Sequence, residues 1–241
     1  MTAPRPKVCL QCPVRDTALC RVLNTHQLTR LNRHSYRRWY PAGQLIAGVS
    51  QSEDWCATVL SGVIKLSKML PDGRQQIVAL LFPGDFLGRP YRAEFPYAAE
   101  TATEVHLCCY GRTFFEGFLQ EQPQLKQTFL ERTLDSVDAA RDWMLLLGRK
   151  SAREKVAALL LTVLRRTARP CSDCEHASCS QLTLPLSRTE MADYLGLRLE
   201  TVSRQLKHLE TAGAIKRIDP RLISVADANA LAEIAGPDLA P

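Results

Sequence analysis

Between Arg37 and Cys109 the chain is cut again and again by turn signals: "YPAG", "LSG", "LPDG" and "FPGD" separate the short β-rich runs "WCATVL", "VIKLSK" and "QQIVALLF". Proline fixes φ and glycine admits positive φ, so each signal ends one strand and reverses the chain toward the next. Several short strands in series close into a barrel or jelly roll, because a sheet that curls over leaves few unpaired edges. The spacing therefore predicts a β-barrel or jelly-roll unit over residues 26–121, preceded by a segment, 1–25, of different character.

The pattern then changes period. From Gln122 to Gly148, Leu130, Leu134, Val137, Ala140, Met144 and Leu147 recur at spacings of four and three, which is a long helix with a narrow apolar seam, open on pattern alone to a partner or to burial as a single core helix. Phe129, Trp143 and Leu146 lie off the seam and make a second apolar face, expected to pack on the barrel. A further helix is read from "GRKSAREKVAALLLTVLRR". After a polar patch, "TARPCSDCEHASCSQ", comes "LPLSRTEMADYLGLRLETVSRQLKHLETAGAIKRID". Ser187 and Glu190 have the spacing of a capping box, and Gly196 ends the short helix that they begin. In the helix that follows, Val202, Leu206 and Leu209 mark a buried face, and Glu200, Ser203, Arg204 and Lys207 share the opposite one. A two-stranded wing turning at Asp219 and Pro220 completes a winged helix-turn-helix over 149–241. The fold class is α+β: a β sensor unit, a dimerisation helix over 122–148 and a DNA-binding unit.

This order of parts resembles the CRP/FNR family of dimeric transcription regulators over nearly the whole chain, and "ETVSR", Glu200 to Arg204, resembles the recognition helix of its FNR-type members. The cyclic-AMP-responsive branch has Arg where this chain has Leu199 and Gly where it has Ser203. The chemistry agrees: Arg204 can bond a guanine edge with both donors, Glu200 can accept from a cytosine amino group, and Ser203 is short enough to approach thymine. The resemblance implies a homodimeric activator on an inverted TTGAT palindrome in double-stranded DNA, with Arg188, Lys207 and Lys216 on phosphates. It also implies contact of the "LPDGRQQ" turn with RNA polymerase. Cyclic nucleotide is not expected, because "GDFLG" is followed by Arg89 and "YRAEFPYAAE" carries no serine; Arg92 reads as a solvated loop residue.

The stretch "VCLQCPVRDTALC" places Cys9, Cys12 and Cys20 within a segment expected to lack a core of its own. No signal peptide precedes it and no apolar run reaches membrane-spanning length, so a cytoplasmic protein without membrane partners is expected, where nine cysteines point to metal or redox chemistry rather than disulfides. "CLQC" as an enzymatic redox motif would need a strand before it and a helix after it, which the proline-rich start does not provide, and no other catalytic constellation is present. FNR-type oxygen sensors hold a [4Fe-4S] cluster with such a cluster of cysteines plus one at the end of the barrel. Alternation in "EVHLCCYGRTFF" turns Val105, Leu107 and Cys109 inward and His106 and Cys108 outward, so Cys108 is the expected fourth ligand. Zinc accepts the same four thiolates, and a zinc staple or thiol switch stays open on spacing alone. Cys171, Cys174 and Cys179, with His176, have a zinc-like spacing and are read first as loop cysteines; Cys56 reads as core. The net charge of +6 is compatible with an anionic partner and says no more.

Overall fold

The computed structural model describes residues 9, 11–49, 54–92, 94–167, 169–170 and 180–236. They divide into two compact units, Met1–Asp135 and Ser136–Pro241. In the first, eight strands follow the expected punctuation: β1 (Ser35–Tyr40), β2 (Leu45–Ala47), β3 (Trp55–Ser61), β4 (Ile64–Met69), β5 (Gln75–Leu81), β6 (Phe86–Leu87), β7 (Ala98–Thr101) and β8 (Val105–Gly111). They form two four-stranded antiparallel sheets, in the orders β1-β8-β3-β6 and β2-β7-β4-β5. This is the jelly-roll form of the expected unit. Ala57, Val59, Ile64, Leu87, Phe95 and Leu107 are among the buried side chains that fill the space between the sheets. Glycine is required at the β3–β4 turn: Gly62 has φ +82°, and a Cβ there would lie 2.0 Å from the Glu104 carbonyl oxygen.

A second apolar core lies on the outer face of the β8 sheet. Helix α1 (Thr25–Arg33), helix α2 (Arg112–Glu121) and the start of helix α3 (Pro123–Arg149) supply Leu28, Leu31, Phe115, Phe118 and Leu125 to it. Asn24 and Gln27 cap α1 reciprocally, at 2.9 and 2.8 Å. The expectation of a coreless N-terminal segment is corrected here. Val14, Ala18, Leu19 and Leu23 are buried, and a single 3₁₀ turn over Leu19–Val22 brings Leu19 and Leu23 into the outer core.

Pro123 occupies the first position of α3, where its missing N–H costs nothing. Leu125 and Phe129 pack against the outer core, and Phe129 meets Phe86 edge to face at 5.4 Å. The expectation that Trp143 and Leu146 share the barrel as their partner is also corrected. Trp143 stacks on Tyr194 of the second unit at 4.2 Å, and Leu146 is buried there. At 1.5 Å per residue a 27-residue helix runs about 40 Å, so its two ends serve different cores.

In the second unit α4 (Ala152–Thr167), capped by Ser151 and Glu154, is buried along most of its length. Helices α5 (Arg188–Leu195), α6 (Leu199–Thr211) and α7 (Ala228–Ala235) follow. The wing strands β11 (Ile215–Arg217) and β12 (Leu222–Val225) belong to a larger sheet than the sequence suggests. Strands β9 (Arg169–Pro170) and β10 (Ser180–Thr183) extend it in the order β11-β12-β10-β9. Cys171, Cys174, His176 and Cys179 lie outside the described residues.

Candidate metal centre and nucleic-acid interface

The pleat of β8 decides which of two adjacent cysteines faces which core. Cys109 is fully buried between the two sheets of the jelly roll, whereas Cys108 points to the outer face and is half-buried against the N-terminal segment. On that face Cys108 sits opposite Arg37 of β1 and Thr58 of β3 in the ladder. A cavity opens there, and Cys9, Cys12, Cys20 and Cys108 all line it. Its remaining wall includes Arg37, Thr58, Leu60 and Tyr110 of the sheet, Leu28, Leu31 and Asn32 of α1, and Val14, Arg15 and Ala18 between the cysteines. The structure thus brings all four sequence-selected thiols to one place. Arg15, Arg37, Thr58 and Tyr110 were not singled out as part of this site, since nothing in their spacing marks them.

The four thiols influence one another. Burial pushes the Cys20 thiol up to about 11, and its neighbours Cys12, Cys9 and Cys108 add to the rise because each thiolate disfavours the next. Cys9 is raised for the same reasons, burial first, then Cys108 and Cys12, with Arg37 and Arg15 pulling the other way. Four thiolates in one cavity require a positive centre to hold them together, and soft sulfur donors suit iron–sulfur or zinc. Six cysteines among the described residues, these four with Cys56 and Cys109, are free thiols. Among the described residues, no three His, Cys, Asp or Glu side chains group closely enough to hold a single metal ion. The four cysteines share the lining of one cavity. In the kind and number of its donors the set fits a polynuclear group.

The N-terminal segment is tied to α3 directly. The Arg132 guanidinium donates to the carbonyl oxygen of Thr17, which lies between Cys12 and Cys20, and to that of Gly84 at 3.2 Å. Arg132 stands between Leu130 and Leu134 on the helix. Leu130, Leu134, Val137 and Met144 remain 58, 55, 42 and 72% exposed, and Ala140 is exposed with them, so the seam has no partner within the described residues. Leu147, the last of the expected seam residues, is half-buried instead, close to the turn at Gly196.

At the other site, the Ser187 N–H donates to Glu190 Oε2 at 2.7 Å and the Ser187 hydroxyl accepts from the Glu190 N–H at 3.3 Å. Gly196, at φ +61°, ends α5 in the left-handed region, where it permits the short turn into α6. Val202, Leu206 and Leu209 are fully buried, which leaves Glu200, Ser203, Arg204 and Lys207 exposed together. Arg188 is partly buried. It donates to the Pro220 carbonyl in the wing turn at 3.0 Å, and burial, with Arg217 nearby, holds its pKa below the usual value. Lys216 is exposed on the wing, whereas Arg217 is engaged by Glu210 at 2.8 Å. Asp219 accepts from the backbone N–H groups of Arg221 and Leu222 and so shapes the wing turn.

A jelly roll followed by a long helix and a winged helix-turn-helix defines a DNA-binding regulator. The cyclic nucleotide-binding domain matches residues 37–122, and the Crp-like helix-turn-helix domain matches residues 154–234. The transcriptional activator protein FnrL of Cereibacter sphaeroides is 44% identical over 95% of this chain and 92% of its own length. The nitrogen fixation regulation protein FixK of Bradyrhizobium diazoefficiens is 37% identical over 89% of both chains. The solved structure of FixK2 from Bradyrhizobium japonicum superposes with a TM-score of 0.75 at 32% identity, covering 84% of this chain and 98% of that one. The chain belongs to the CRP/FNR family, as a DNA-binding transcription regulator of the FNR/FixK type. No helix among its described residues is long and apolar enough to cross a membrane.

Proposed function

We propose that this regulator is an oxygen-responsive activator that holds a [4Fe-4S] cluster on Cys9, Cys12, Cys20 and Cys108, dimerises when oxygen is absent and binds a TTGAT palindrome. The observation that carries the reading is the single cavity lined by all four thiols, three from the N-terminal segment and one from a strand of the jelly roll. When bound, the cluster supplies an oxygen-labile cross-link among four thiolates. The chain's own part is to transmit the position of that cross-link. Cys108 is fixed by the ladder between β1 and β3, so it gives the segment a rigid anchor. Through the Thr17 carbonyl the anchored segment holds Arg132, and Arg132 holds α3 within the stretch that carries Leu130 and Leu134. With the thiols unlinked, the segment keeps only its few apolar contacts and its grip on the helix slackens. A weaker seam leaves single subunits, each able to read one half-site.

On DNA, Arg204 and Glu200 read base edges, Ser203 approaches thymine, and Arg188, Lys207 and Lys216 bind phosphates. The turn between β4 and β5, where Met69 and Leu70 are exposed, is the surface offered to RNA polymerase. Cyclic nucleotide has no part in this reading: Phe95 fills the space between the sheets with Tyr97 against it, and Arg89 and Arg92 face solvent.

Iron and sulfide assays on protein purified without oxygen test the proposal. Wild type and Cys109→Ser should carry the cluster, whereas Cys108→Ser should lose it, remain monomeric and fail on the palindrome. Stoichiometric zinc in a colourless wild-type protein would replace the cluster reading with a zinc staple, and an intact cluster in Cys108→Ser would overturn the ligand set.

A further inference from the structure

One polar group in the cysteine cavity is left unsatisfied. Arg15 lines the cavity, and its Nε is buried with no hydrogen-bond partner among the described residues. A buried donor without an acceptor costs free energy, more so on a charged group, and native structures seldom leave one without a reason. The other polar groups of the wall differ. The Tyr110 hydroxyl is within 3.3 Å of the Thr58 hydroxyl, and Arg37, although opposite Cys108 in the ladder, is exposed to solvent. Among the described residues of this wall, Arg15 alone combines a fixed positive charge with a buried N–H that has no acceptor, and it shares the cavity with four thiols that ionise when they take up a metal.

We propose that the Nε–H of Arg15 donates a hydrogen bond to a thiolate of the four-cysteine centre and thereby sets the centre's reduction potential. The inference rests on the cluster reading above. A hydrogen bond to a ligating sulfur stabilises the more negative, reduced state over the oxidised one, so it raises the potential. Arg37, and to a smaller degree Arg15, favour the ionised form of Cys9, in keeping with a cationic side of the cavity. Arg37 acts through its charge alone and from an exposed position, whereas Arg15 would add a hydrogen bond to sulfur, so Arg15 should have the larger effect on the potential.

The test compares wild type with Arg15→Met, Arg15→Lys and Arg37→Gln, all purified without oxygen. Iron and sulfide content is measured first, then the midpoint of one-electron uptake from a low-potential mediator dye, then the iron–thiolate stretching frequencies by resonance Raman spectroscopy. Arg15→Met should shift the midpoint downward and raise the stretching frequencies, Arg15→Lys should fall between it and wild type, and Arg37→Gln should move both least. If Arg15→Met holds no cluster, Arg15→Lys carries the comparison. An unchanged midpoint in an Arg15 variant that retains its cluster, or a shift in Arg37→Gln as large as in Arg15→Met, overturns this inference and leaves the cluster reading standing. A wild-type protein without iron overturns both. Metal-free protein supplies a second readout. Arg15→Met should melt no lower than wild type, since it removes an unpaired buried donor; a clearly lower melting temperature would make Arg15 a structural residue and overturn its assigned role.

Discussion

Replacing Leu134 with Ala isolates the seam of α3 from everything else the helix does. Full burial of a leucine side chain contributes about 1.5–3 kcal/mol. Leu134 keeps 55% of its surface exposed, so about half of that, ~1 kcal/mol, remains to be gained against a partner. A two-fold interface counts the residue twice, which makes the substitution worth ~2 kcal/mol, or about 30-fold in the dimer dissociation constant. The isolated chain should scarcely notice, because the residue contributes little to either core. Sedimentation equilibrium of wild type and Leu134→Ala, under identical anaerobic conditions, measures the first quantity, and thermal unfolding of the metal-free monomer measures the second. An unchanged dissociation constant would refute the seam. So would a monomer that melts several degrees lower, since that would make Leu134 a core residue.

Two further expectations concern the other sites. Arg204→Ala should cost about 1–3 kcal/mol on a TTGAT palindrome and relax selectivity at the G·C pair, whereas Lys207→Ala should weaken all sequences alike and reduce the salt dependence; binding titrations on specific and random duplexes at several salt concentrations separate the two. Cys56, buried in the jelly roll, has its thiol pushed from an ordinary 9.0 up to about 12, by burial first and Glu116 second, against the pull of Arg112. It should resist iodoacetamide at pH 9 in the folded protein and react once unfolded. Because the folded state holds this proton more tightly, its contribution to stability is complete below pH 9 and is lost as the pH rises through about 12; Cys109 and Cys20 contribute slopes of the same sign, so Cys56→Ala should make alkaline melting curves shallower without flattening them.

Much of this architecture can be read from local chemistry. The turns that cut the first unit into strands are set by proline and glycine, and the capping pair Ser187 and Glu190 lies three residues apart whatever surrounds it. The opposite facings of Cys108 and Cys109 follow from the two-residue repeat of any strand. What escapes a sequence reading is choice of partner. The period of α3 marks Trp143 as apolar and off the seam, but it cannot say that Tyr194 will cover it, because nothing local separates one core from another. The burial of Val14, Ala18 and Leu19 is hidden for a related reason: a stretch built from turns and one 3₁₀ turn has no repeat to betray its inner face. Arg15 and Arg132 look like any solvated arginine until the fold places one at the cavity wall and the other beneath the Thr17 carbonyl.

The bond from Arg132 to Thr17 has a thermodynamic corollary. A contact that favours one arrangement of the helix when the segment is ordered must, by linkage, favour the ordered segment when the helix is held in that arrangement. The two ends of the bond therefore trade free energy at par, up to the small worth of a charge-assisted hydrogen bond near the surface, about 1 kcal/mol. A promoter that grips both half-sites is then a ligand of the N-terminal segment in all but contact. On the cluster reading proposed above it defends the cysteines from a distance, so that regulator bound to its operator should lose the cluster to oxygen more slowly than regulator free in solution.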